Sequence, residues 1–175
     1  MNILGCDNSM TATGLCLVAW PRPKPIWYHT VIPPVGQNHI VEADCKAAVD
    51  DMFSEIGGLL DLLVVEGAFF SEKSPEACAE VATAGGLFRG MIGHVLPDIR
   101  VFSLKAVAWK KNRGEKGWRE IVLRSSPYDK AACIEECEML ARLAGVGDAT
   151  PHVYEAFGLA CAGGTLIDKE AVFSR

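Results

Sequence analysis

Two short apolar blocks open the chain, Ile3 to Cys6 and 15–20, separated by the polar, small-residue turn Asn8-Ser9-Met10-Thr11-Ala12-Thr13-Gly14. Each reads as a strand. At strand period, Ile3, Gly5 and Asp7 share one face, so Asp7 sits at the rim of whatever core Ile3 helps to build. Two accounts of Asp7 stand side by side. It either caps its own turn through Asn8 and Ser9, or serves chemistry that the rest of the chain must supply.

The pattern continues with a proline-punctuated turn, 21–25, and a third strand over 26–32 that Pro33-Pro34 ends. Between 40 and 56 apolar residues recur at helical spacing (Val41, Ala48, Met52, Ile56), and Gly57-Gly58 fits the helix end. Leu62-Leu63-Val64-Val65 is a continuous apolar run, too short for a helix and typical of a strand buried on both faces. It delivers Glu66 at its end. A carboxylate closing a buried strand is costly unless it is paired or holds a cation, so Asp7 and Glu66 together point to one shared site. Two unrelated strand-end acids are the alternative.

From 75 to 96, Cys78, Val81, Gly85, Phe88, Ile92 and Val95 step by threes and fours, a helical stripe suited to a core or a subunit interface. Gly85 and Gly86 in mid-helix predict a close approach by another backbone. A short strand follows over 99–103 and a further helix over 128–144, whose role the pattern does not disclose. The final helix begins with Thr150 as N-cap and Pro151 at its first position. His152 and Glu155, three apart, share a face of its first turn. A helix N-terminus favours neutral imidazole, the form that ligates metals. The alternative is a surface His and Glu at a helix start. Beyond them Ala156, Gly158, Ala160, Ala162 and Gly163 would let the helix lie close on the sheet.

At 175 residues, half of them hydrophobic, the sequence suits one domain over 1–175 with a real core. No 18-residue apolar run or signal peptide is present, which predicts a cytoplasmic protein. The seven cysteines form no CxxC pair and mostly sit inside apolar patterns, as buried reduced thiols do. Net charge is -5, but seven basic residues between Lys105 and Arg124 face only Glu115 and Glu120, a local +5 on a remainder of -10. One positive face on an acidic body suits a polyanion, and a solvated charged helix is the plainer account.

Taken together, these motifs resemble the RuvC family of Holliday junction resolvases within the RNase H-like fold. Ile3-Leu4-Gly5-Cys6-Asp7 with Thr13-Gly14 is similar to the family's first motif, and Val64-Val65-Glu66 to its second. Phe69 falls where the family has an aromatic that meets bases at the junction centre. Lys105 and Lys116 match two family lysines near the scissile phosphate. His152 and Glu155 lie where the family carries its third and fourth acidic ligands, commonly both Asp. The resemblance implies an α/β fold with a mixed five-stranded sheet flanked by helices.

It also implies a homodimeric endonuclease that nicks paired strands of branched DNA in recombination and repair. Two Mg²⁺ ions, replaceable by Mn²⁺, would serve each active site. Asp7, Glu66, His152 and Glu155 would hold them, with Asp7 bridging. Lys116 would act near the scissile phosphate, and Lys105, Lys110, Lys111 and Arg113 would contact phosphates. Phe69 would stack on a base. The stripe over 75–96 is the candidate dimer interface. Two rivals remain: a non-cleaving branched-DNA binder with an impaired centre, and an actin- or sugar-kinase-like ATPase. The latter's first phosphate motif also resembles Asp7…Thr13-Gly14, but its second phosphate loop and adenosine motif are missing.

Overall fold

The two amino-terminal apolar blocks face each other as a hairpin. β1 (Asn2–Asp7) pairs antiparallel with β2 (Thr13–Ala19), which sets Asp7 opposite Gly14. β3 (Lys24–Val31) continues the antiparallel run beyond β2, with a register shift between Leu17 and Val18. On the other side of β1, β4 (Leu62–Gly67) runs parallel to it, and β5 (Arg100–Lys105) runs parallel to β4. The mixed sheet thus has five strands in the order β3-β2-β1-β4-β5. Hydrophobicity follows position in that order: β1 and β4 lie inside the sheet and are apolar on both faces, whereas β3 lies at an edge and alternates in exposure. These are the features of a computed structural model that describes residues 1–9, 11–37, 39–67, 75–105 and 130–173.

Among the described residues four helices cover the sheet: α1 (Glu42–Ile56), α2 (Pro75–Val95), α3 (Lys130–Ala144) and α4 (Pro151–Phe173). α1 starts at Val41, whose backbone N–H donates to Asp44 Oδ2 at 3.0 Å. It stops at Gly57, which takes φ 61°, a left-handed conformation open to glycine at little cost. Leu4, Cys6, Leu15, Leu17, Leu63 and Val65 face α1 and α2 and pack with Met52, Phe88 and Ile92. Ile3, Cys16, Val18, Leu62 and Val64 face α3 and α4 instead. α4 is apolar almost all round from Val153 to Cys161 because those residues are buried between sheet and α3. The 128–144 pattern therefore has a role: Cys137, Leu140 and Ala141 of α3 clamp Tyr154 and Phe157 of α4 onto the sheet.

The middle of the α2 stripe, Phe88 and Ile92, is spent on the chain's own core, whereas Val95 at its end is exposed. One expectation for α2 needs correcting. Gly85 makes its close approach to a side chain, Asn8, not to a backbone, and Gly86 faces open space. A 3.6-residue period marks a covered face without saying what covers it. Among the described residues, no helix is long and apolar enough to cross a membrane.

Candidate metal centre

Asp7 and Glu66 end or nearly end the two central parallel strands, and the carboxyl ends of such strands open at the same edge of a sheet. α4 begins over this edge. Its first turn can lie there because Gly14 carries no side chain: a Cβ on it would overlap the His152 carbonyl and stand 2.6 Å from the Val153 nitrogen. Gly5, one turn further along, does the same beneath Ala156; a Cβ there would overlap the Ala156 carbonyl oxygen and stand 2.9 Å from the Ala160 nitrogen. With no side chain between them, helix backbone rests directly on strand backbone. That contact brings Glu155 down to the two strand carboxylates.

One ligand oxygen from each of Asp7, Glu66 and Glu155 lies within 4.8 Å of the others. Asp7 and Glu155 are only 4% and 6% exposed. Carboxylates held this close repel one another when ionised, and a bound cation would relieve all three at once. An all-oxygen trio fits a hard divalent ion such as Mg²⁺ or Mn²⁺, and the residues present therefore suit the cofactor that the sequence implies.

His152 joins the cluster through Asp7: its Nδ1 lies 2.7 Å from Asp7 Oδ2, with Nδ1–H as donor when the carboxylate is ionised. The turn after β1 is tied by other groups, Ser9 N–H donating to Thr13 Oγ1 and Thr13 Oγ1 donating to Ser9 O at 2.8 Å. Thr150, the expected N-cap, accepts from Val153 N–H with its carbonyl, and its hydroxyl meets Thr30 Oγ1 at 2.8 Å. Lys105 ends β5 in register with Gly67, at the same sheet edge as Glu66. Phe69, Lys110, Lys111, Arg113 and Lys116 lie outside the described residues.

Asn8 is the residue that sequence reasoning missed. It is 3% exposed. Its Nδ2 donates to the Glu66 carbonyl at 2.8 Å, and its Oδ1 accepts from Cys6 Sγ at 2.8 Å. Burial, and after it Asp7, pushes the Cys6 thiol well above its ordinary range, which keeps it a donor. The only hint in the sequence was Asn8 following a strand-end Asp, and turn chemistry explains that equally well.

No protein-family model matches the sequence, and no curated protein matches it. Among solved structures, RuvC from Thermus thermophilus matches with a TM-score of 0.65 at 15% identity, covering 97% of both chains. The T. thermophilus RuvC in complex with Holliday junction substrate matches with a TM-score of 0.64, also at 15% identity, over 97% of this chain and 96% of that one. With its β3-β2-β1-β4-β5 sheet and flanking helices, the chain has the RNase H-like fold in the form seen in RuvC, and it carries a buried acidic cluster at the sheet edge.

Proposed function

We propose that the chain is a divalent-metal-dependent endodeoxyribonuclease that nicks paired strands of four-way or branched DNA, acting as a homodimer. One observation carries this reading: three carboxylates from three separate elements, Asp7, Glu66 and Glu155, converge to within 4.8 Å at one edge of an RNase H-like sheet. A matching structure of the same fold was solved with a Holliday junction, and the basic run Lys105 to Arg124 begins at that edge, at the end of β5.

Asp7, Glu66 and Glu155 would hold Mg²⁺, or Mn²⁺ in its place, with His152 as a further ligand. When bound, two such ions would supply an activated water and neutralise charge on the leaving oxygen of an in-line phosphodiester displacement. The chain's own contribution is placement. β1 and β4 fix two carboxylates on the central strands, and α4 lowers the third onto them. His152 Nδ1 holds Asp7 Oδ2 in one orientation. Lys105, Lys110, Lys111, Arg113 and Lys116 would neutralise phosphates and make binding salt-dependent. Phe69 would stack on a base opened at the branch point. A four-way junction is two-fold symmetric, so a symmetric dimer sets one site on each of two opposed strands.

The test is cleavage of a labelled synthetic four-way junction beside linear duplex, with Mg²⁺ and with chelator. Paired nicks confined to the junction and abolished by chelation are expected. Tight junction binding without nicks in either Mg²⁺ or Mn²⁺ would replace this reading with a non-cleaving branched-DNA binder.

A further inference from the structure

β1 and β4 stop pairing one residue short of the acidic cluster. Their ladder runs through Cys6 opposite Val65, and the next step would pair Asp7 with Glu66. At that point Asn8 takes over. Its carboxamide reaches across and donates from Nδ2 to the Glu66 carbonyl at 2.8 Å, where a strand N–H would otherwise have bonded. The amide is itself oriented, because its Oδ1 accepts from Cys6 Sγ at 2.8 Å. It is also confined: on α2, the position facing it is Gly85, where a Cβ would lie 2.6 Å from Asn8 Nδ2.

We infer that Asn8 is the positioning residue of the metal centre. It ties the end of β4 to the end of β1 and so sets the separation of the Asp7 and Glu66 carboxylates. Gly85 is its steric counterpart, kept side-chain-free so that the carboxamide can reach. The inference rests on the reading of Asp7, Glu66 and Glu155 as metal ligands.

The geometry supplies two independent ways to disturb one bond. Asn8→Ala removes the donor. Gly85→Ala leaves Asn8 in place but pushes its amide off the Glu66 carbonyl, since the far end of a side chain gives way more easily than packed backbone. The second change sits in a helix interior, where alanine is intrinsically favoured over glycine. The experiment is Mn²⁺ titration of the full chain, followed by electron paramagnetic resonance below the melting transition, with the melting temperature recorded for each variant. Each single variant is expected to weaken Mn²⁺ binding about 10-fold or more, the range seen when groups that orient ligands are lost. The double variant should bind no more weakly than Asn8→Ala, because the added methyl then meets an empty space.

A purely structural role would lower the melting temperature and leave the Mn²⁺ affinity of the folded protein unchanged. That result in the two single variants overturns the inference. So does a double variant in which the two losses multiply. A wild-type chain that binds no Mn²⁺ overturns the metal reading and this inference with it, whereas wild-type binding that both variants retain overturns this inference alone.

Discussion

Gly5→Ala places one methyl group between β1 and α4, where strand and helix backbones touch. The new Cβ would overlap the Ala156 carbonyl oxygen and stand 2.9 Å from both the Ala156 carbonyl carbon and the Ala160 nitrogen, against the 3.4 Å of ordinary contact. Neither side is a flexible side-chain tip, so the helix must back away as a unit, by about 1 Å or more, to clear the oxygen. The Asp7–His152 bond starts at 2.7 Å, and such a movement carries it past the limit of a hydrogen bond. Overpacking alone costs about 1–3 kcal/mol, and backbone meeting backbone puts this site at the upper end or beyond. A loss of about 3 kcal/mol is a large share of the 5–15 kcal/mol typical of a domain. The assay is urea unfolding, in which the midpoint should fall while the slope stays constant. Gly90→Ala is the control: nothing lies within 4 Å of its Cβ position in α2, so it should gain up to about 1 kcal/mol. A Gly5→Ala protein within about 1 kcal/mol of wild type would refute the claim that α4 is seated on β1.

Two further outcomes follow from the buried groups. Adding Mg²⁺ should raise the melting temperature, with about 2.7 kcal/mol gained at a hundred times the dissociation constant, and Glu155→Gln should remove most of that rise; a rise that survives the substitution would mean the ion binds elsewhere. Burial holds the thiols of Cys6, Cys16 and Cys161 above their ordinary range, and burial, with Asp44 adding to it, pushes Cys45 up to about 11. The folded chain thus keeps protons that the unfolded chain gives up near pH 9, so this stability is whole below that point and is lost as pH climbs toward the folded values. At about pH 10 the loss is on the order of 1 kcal/mol per thiol, and a melting temperature unchanged from neutral pH to pH 10 would contradict it.

The strands and the acids at their ends were legible because both follow from local pattern, whereas the five-stranded sheet was implied only by the family resemblance. Apolar runs of strand length, each closed by an acid, place Asp7 and Glu66 at strand ends without any knowledge of the fold. The spacing of His152 and Glu155 puts them on one face of a helix start. The missing information is of another kind. Asn8 bonds a carbonyl 58 residues away, and nothing in the turn announces a partner at that distance. The purpose of Gly85 depends on Asn8, so it could not be read before Asn8 was. The α2 stripe showed a face to be covered without saying by what, because covering by the chain's own sheet and covering by a second subunit demand the same residues. For the same reason, the contact between α3 and α4 was not visible in a helix of mixed charge.

Asp7 and His152 meet across 145 residues of chain, and this distance has a consequence in time. At about 5–20 residues per second, a ribosome needs roughly 7–30 s to travel from one to the other. The first strands can pair during that interval. Ile3, Cys16, Val18, Leu62 and Val64 must then wait with one sheet face uncovered, since α3 and α4 are the elements that cover it. The acidic cluster cannot assemble before that face is closed, because Glu155 arrives on the same helix. Completion of the core and assembly of the acidic cluster are one event, which cannot precede the docking of the last described helix.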